Sequence, residues 1–418
     1  MRHFLIVVVA FLPAAAHSIT VDWNDPQSVA RGAGEVSPAL AALKSQIAAA
    51  RERVAIAGSL PNPMVMAGVQ NQQIDLSIDR QMTMYMVGAS QTLTRKSRRL
   101  AQRSAAELEV RRLQSEFESQ QAELEREVLF AYYEAAAAQS QAAATSDLAT
   151  LTGDAVTASR ARYEAGSAPQ TDMIRSLLEQ KGIEHQLLTL QSRRKQAAAK
   201  LAALLHVAPD DIPKFALTHA AMHQHAVETT VNPESPAIAA LQAEVEEAQQ
   251  EIRLAQLALK PDINVEASYG LRPYEKDTIS VVGRIELPYR KKTLIEPRVQ
   301  EAIAHRDAAK QQIEVERQLL QQDIGVAAAR RDEALAQIRL HENELVPAAK
   351  LGFESALASY QAGKETFESV LSSLRTYASL NIDYFDFLKQ QMQAEADIAA
   401  LRSGARQGAA SAAASEMR

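Results

Sequence analysis

The chain has 418 residues, with 45 Lys and Arg against 51 Asp and Glu and a net charge of −6. Its basic residues are interleaved with acids rather than gathered into a patch, so there is no electrostatic footprint for nucleic acid. Aromatics make up 5%, Gly and Pro number 15 each and cysteine is absent; this suits long helices better than a sandwich or a Rossmann sheet, and it removes disulfides, thiol catalysis, thiolate metal sites and lipid attachment through an N-terminal cysteine.

Residues 1–16 read as an export signal, built from Arg2 and His3, the apolar run Phe4 to Leu12 and the small stretch Ala14-Ala15-Ala16. The competing reading is an anchor helix, but crossing a bilayer takes roughly 20 apolar residues and this run is shorter. No later segment holds about 18 consecutive apolar residues, so no helical span is expected.

The rest of the chain is duplicated. Arg162-Tyr163-Glu164-Ala165-Gly166 recurs as Ser359-Tyr360-Gln361-Ala362-Gly363, 197 residues later, and Val87-Gly88 recurs as Val282-Gly283, 195 residues later. Pro63 and Pro261 both mark the passage from a helix to an extended segment. We therefore expect a first repeat at 17–207, an equatorial insertion at 208–234, a second repeat at 235–402 and a small, polar, disordered tail at 403–418.

In chain order, Ser37 to Gly58 has helical spacing and stops before Pro61 and Pro63. Extended runs cover about 64–72 and 81–93. A very long helix is expected from Ser97 to Glu164, with Leu113, Phe117, Leu124, Val128, Ala131 and Ala135 spaced by three, four and seven. Its Ala-rich stretch, 135–144, suits close helix spacing and simple helix propensity equally. Gly166 closes the helix where a left-handed cap is wanted, and Pro169 and Asp172 open the next, which runs to Leu205. The second repeat follows suit: a helix over 237–259, strands over 263–269 and 278–287, one long helix over 299–358, a turn at Gly363 and a last helix to Arg402.

The strand from Thr278 to Leu287 alternates strictly. Ile279, Val281, Ile285 and Leu287 take one face; Thr278, Ser280, Arg284 and Glu286 take the other. Such alternation fits a membrane barrel wall or an ordinary half-buried sheet. Tyr269, Tyr274 and Tyr289 lie near strand ends, where interfacial aromatic belts occur. Four strands cannot close a barrel, which starts at about eight, and lipid forbids an open edge. On the membrane reading three copies are needed, giving about twelve strands. Each long helix of about 60 residues would then extend roughly 90 Å, enough for a tube reaching deep into the periplasm.

Two groups of residues raise metal binding. Met82, Met84 and Met86 share a strand face, and thioethers are soft ligands, but the 195-residue offset equates Met84 with Ile279 and Met86 with Val281 and so makes them apolar, lipid-facing positions. His219, Met222, His223 and His225 lie in the insertion; imidazoles four apart on a helix can share a metal, yet prolines bracket the segment and no nearby carboxylate completes a site. No metal site and no cofactor is assigned. The chain has no phosphate-binding Gly-rich loop, nucleophile elbow or His-Glu-x-x-His motif, so it is read as a non-enzyme.

The duplicated Tyr-x-x-Gly turns, each about 75 to 80 residues after a Val-Gly strand, resemble the TolC-like outer membrane efflux family over nearly the whole chain after residue 16. The resemblance implies a mainly α protein with a β-barrel portion: duplicated helical hairpins in a trimeric tube, four strands per chain in a 12-stranded barrel. It implies a passive outer-membrane channel of a tripartite efflux system in a Gram-negative bacterium, working with a periplasmic adaptor and an inner-membrane pump. By the same resemblance Tyr163, Gly166 and Asp172 form one periplasmic tip, Tyr360 and Gly363 the other, and Tyr360 and Asp172 form the hydrogen bond that holds the mouth shut. Glu365 stands where some members place a basic latch, and Ser369 and Ser372 where some place aspartates, so Glu365 and Glu368 either supply a substitute acidic ring or are solvated surface residues. Competing readings are a periplasmic coiled-coil scaffold or adaptor without a channel, and a duct for secreted polypeptides; heavy-metal ions and drugs are the expected cargo.

Overall fold

A computed structural model describes residues 21–71, 83–217, 229–272 and 275–405. The export-signal stretch, Met82, the His219, Met222, His223 and His225 cluster, Tyr274 and residues 406–418 lie outside these.

Eight α-helices and four strands are described. The first, α1 (Pro26–Val36), was not expected, because glycines at 32 and 34 lower its propensity. Two things offset that. Asp25 caps it, accepting from the Gln27 amide at 3.0 Å with Pro26 in the first turn, and Val29, Ala30 and Ala33 are buried in one cluster with Val128, Tyr132 and Leu201. The helix α2 (Pro38–Ala57) follows, capped by Ser37.

The helix α3 (Lys96–Glu164) has 69 residues, about 100 Å at 1.5 Å per residue. It packs against α2, against α4 (Gln170–Leu205), and against α5 (Pro236–Leu257) and α8 (Phe367–Arg402) of the second half. Ala135, Ala136, Ala137 and Ala138 are all buried, and Gln141 donates from its side chain to the Ile382 carbonyl of α8 at 3.1 Å, so the small side chains sit where the two halves approach. From the inter-repeat segment, Phe215 stacks on Tyr132 with centroids 4.2 Å apart, and the Leu217 amide donates to Ser140 at 2.9 Å.

The second long helix is divided, contrary to the single run expected. A π turn at Lys291–Ile295 precedes α6 (Glu296–Leu340), and a second at His341–Leu345 joins α6 to α7 (Val346–Gln361). Each π turn ends two residues before a proline, Pro297 or Pro347. A helical proline cannot donate to the carbonyl four residues back and its ring crowds that carbonyl, which here belongs to Thr293 or Asn343, inside the widened turn. The helix thus accommodates the proline without ending.

The four strands β1 (Met64–Gln70), β2 (Met84–Leu93), β3 (Ile263–Leu271) and β4 (Thr278–Ile285) form one antiparallel sheet in that order, leaving β1 and β4 as open edges. Every registered pair joins odd to odd or even to even positions, as in Val87 with Tyr269 and Tyr269 with Ile279. The odd face carries Val65, Val69, Val87, Val265, Ile279 and Val281, all exposed. Ser90, Glu266, Ser268, Thr278 and Arg284 occupy the even face, where Arg284 pairs with Glu266 at 2.8 Å.

That register overturns one expectation. Met84 and Met86 are not on the apolar face with Ile279 and Val281; they are on the even, polar face, where Met86 opposes Gly270. Equating Val87-Gly88 with Val282-Gly283 used an odd offset. Side chains alternate with a period of two, so a slip of one residue moves each to the opposite face: Val87 points out, whereas Val282 points with Arg284.

Candidate functional site at the helical tips

Both helical hairpins turn through the same backbone motif. Gly166 has φ +67 and Gly363 has φ +74, left-handed values that cost an L side chain about 1–2 kcal/mol. At the first tip the Ser167 amide donates to the Arg162 carbonyl at 2.9 Å and the Gly166 amide to that of Tyr163 at 2.9 Å; at the second, Lys364 donates to Ser359 at 2.9 Å and Gly363 to Tyr360 at 3.0 Å. These paired bonds satisfy carbonyls that a helix end otherwise leaves orphaned.

The outgoing helices start differently. Pro169 precedes α4 without a side-chain cap, and Asp172 lies in the first turn, where its charge suits the helix dipole. Thr366 caps α8 by accepting from the Ser369 amide at 3.4 Å. Glu365 accepts from the Thr366 amide at 3.3 Å, and Glu368 pairs with Arg175 of α4 at 3.1 Å. The carbonyls of Ser369 and Ser372 accept from the hydroxyls of Ser373 and Thr376 at 2.8 and 3.0 Å.

The two tyrosines separate the tips. Tyr163 is 40% exposed and Tyr360 only 1%. Tyr360 lies in a cluster with Leu148, Ile183, Phe353 and Leu371, its ring 5.1 Å from Phe367. Its hydroxyl donates to Asp172 Oδ2 at 3.3 Å, bringing together the pair that family resemblance matched. Burial first, and the Asp172 charge second, push the Tyr360 phenol up to about 12, so it stays a neutral donor.

A residue the sequence analysis passed over holds the other side of that ring. The Arg162 guanidinium lies 4.5 Å from the Tyr360 centroid, donates to the Tyr360 carbonyl, and donates to the Ser167 carbonyl at 3.1 Å. One side chain therefore bonds the backbone of both tips. The signal was present in the repeat, where Arg162 corresponds to Ser359: with Glu164 against Gln361, it is one of two positions that break the match inside the five-residue motif. Arg375 adds a further inter-hairpin link, reaching Glu179 with Nε at 3.0 Å and Nη2 at 2.7 Å.

The magnitudes rank these contacts. A hydrogen bond to a charged group contributes about 1.5–3 kcal/mol and a cation–π contact about 0.5–2 kcal/mol. The Arg175–Glu368 pair, with side chains 54% and 61% exposed, contributes about 1 kcal/mol or less. Tip cohesion therefore centres on Tyr360. Among the described residues no cluster of His, Asp or Glu is disposed to hold a metal ion, and no helix is long and apolar enough to cross a membrane.

A mainly helical chain with paired long hairpins and a two-faced four-stranded sheet defines a class, and the sequence comparison agrees. The family model for outer membrane efflux protein matches residues 31–206 and 231–404, and the chain belongs to that family. Its fold is similar to VceC from Vibrio cholerae, at 18% identity and TM-score 0.75 over 91% of this chain and 96% of that one. It is also similar to CusC, at 14% identity and TM-score 0.79 over 94% and 95%, and to the open state of the MtrE channel of Neisseria gonorrhoeae, at 16% and 0.74 over 93% of each. No curated protein matches the chain.

Proposed function

We propose that three copies of this chain, a member of a channel family rather than an enzyme family, form its working state, a passive duct in the outer membrane of a Gram-negative bacterium, with the sheets closing into one 12-stranded barrel and the helices extending into the periplasm. One observation carries this reading: the sheet exposes an apolar face, turns a polar face the other way, and ends in two unpaired edges. In lipid those edges must be paired, and β1 of one copy with β4 of the next pairs them. Exposed Leu178, Leu188, Val315 and Leu351 on the long helices supply apolar surface for contacts between copies.

In this reading the periplasmic mouth is the pair of tips around Tyr360, Asp172 and Arg162, with Tyr163, Gly166, Gly363, Glu365, Glu368 and Ser369 beside it. The tips also meet a periplasmic adaptor, and an inner-membrane pump supplies the energy. Small solutes, heavy-metal ions or drugs, pass through. A scaffold without a channel would leave the apolar sheet face in water, which disfavours that alternative.

Electron microscopy and planar-bilayer recording of the detergent-purified protein test the proposal. Threefold tubes with a membrane-belt end and discrete conductance steps are expected; compact asymmetric particles without openings would reject the duct.

A further inference from the structure

Of the ten methionines in the chain, five stand at positions 64, 66, 82, 84 and 86, all even. The register of β1 and β2 sends the four described ones, Met64, Met66, Met84 and Met86, to the polar face of the sheet. Met66 stands opposite Gly88, and Met86 opposite Gly68, so Met66 and Met86 are diagonal neighbours on adjacent strands. Glycine leaves the ground open at Gly68, beside Met86, where a Cβ would meet nothing within 4 Å, whereas Ser268 of β3 closes in on Gly88. Met84 extends toward the second hairpin, its sulfur 3.3 Å from the Thr278 hydroxyl.

The second hairpin provides an internal control. It builds the same face from Asn264, Glu266, Ser268, Thr278, Ser280 and Arg284, with no methionine. Thioethers are therefore not a requirement of this wall, and because they lie on the face away from Ile279 and Val281 they do not serve as lipid-facing apolar filler.

We propose that Met66 and Met86, with Met64 and Met84 further along the same face, form a binding site for soft monovalent cations, Ag(I) and Cu(I), on the lumen wall of the barrel. The proposal rests on the duct reading, which makes the polar face the lumen. A thioether is a soft, neutral ligand that needs no deprotonation. Diagonal strand neighbours stand about 7–8 Å apart, within reach of two flexible methionine side chains bending toward one ion. Neutral ligands on an open wall hold an ion loosely enough to release it, as a conduction site must. Three chains would bring three such patches into one lumen.

The test uses the full-length protein in detergent with 13C-labelled methionine methyl groups, titrated with silver nitrate in chloride-free buffer. The signals assigned to Met66 and Met86, by their loss in Met66→Leu and Met86→Leu, should shift, while those of Met173 and Met392 on the helices stay fixed. In the double variant, whose volume is nearly conserved, Ag(I) binding at the remaining barrel methionines should weaken about tenfold or more. In bilayers, Ag(I) should reduce the current of the native channel and leave that of the double variant unchanged. Barrel methyl signals that ignore Ag(I), helix methionines that shift equally, or unchanged affinity in the double variant would overturn the site. Absence of any channel openings would instead reject the duct reading, whatever the methyl signals do.

Discussion

The two hairpin tips share one backbone turn and differ in what surrounds their tyrosines. Gly166 and Gly363 close the same pair of hydrogen bonds, yet Tyr163 faces solvent while Tyr360 is enclosed by Arg162, Asp172 and Phe367. Duplication produced two equal turns; the places where it is broken, Arg162 against Ser359, Asp172 against Ser369 and Phe367 against Gln170, form the clasp around Tyr360. An internal repeat thus reports what the backbone needs, and its broken positions report where the two hairpins pack on each other.

The largest break in that comparison should come from the tyrosines themselves. Tyr360→Ala empties a buried aromatic site and should cost about 3–5 kcal/mol, read as the thermal midpoint of the purified protein, whereas Tyr163→Ala should stay within about 0.5 kcal/mol.

Next, Tyr360→Phe with Asp172→Ala removes the hydroxyl-to-carboxylate bond, worth about 1.5–3 kcal/mol, and should raise resting conductance in bilayers. An unchanged resting current would remove the latch role. The same bond predicts a pH response. The Tyr360 phenol is raised from 10.0 to about 12, so its contribution is complete below about pH 10 and is lost as pH rises toward 12. Resting current in the native channel should climb over that alkaline interval, and Tyr360→Phe should abolish this step.

Arg162→Ala should weaken the clasp by about 2 kcal/mol and raise resting conductance, while the mirror change Ser359→Arg should leave it unaltered. Gly166→Ala and Gly363→Ala should cost about 1 kcal/mol each, since the left-handed turn is the shared part; unequal costs would show that the turns are not equivalent. Smallest of all, Glu368→Gln should change stability by less than about 1 kcal/mol, and the difference should vanish in high salt.

Much of this arrangement was legible before the structure. The length of α3, the left-handed glycines and the four strands follow from spacing and turn chemistry, which act over a few residues and are written locally. The helix α1 was missed because its stability comes from burial of Val29, Ala30 and Ala33 rather than from its own propensity. The long second helix was read as one piece because nothing short of the backbone shows how a chain absorbs Pro297 and Pro347.

The methionines mark the boundary between the two kinds of knowledge most sharply. Alternation alone shows that 64, 66, 84 and 86 share a face, since parity belongs to the chain. Which face that is depends on pairing with β3 and β4, nearly two hundred residues away, and a one-residue error in the repeat alignment inverted it. The same holds at the tips, where sequence alone defines each turn, and only tertiary packing, which brings Arg162 of one hairpin over the ring of Tyr360 in the other, decides which tyrosine is the clasp.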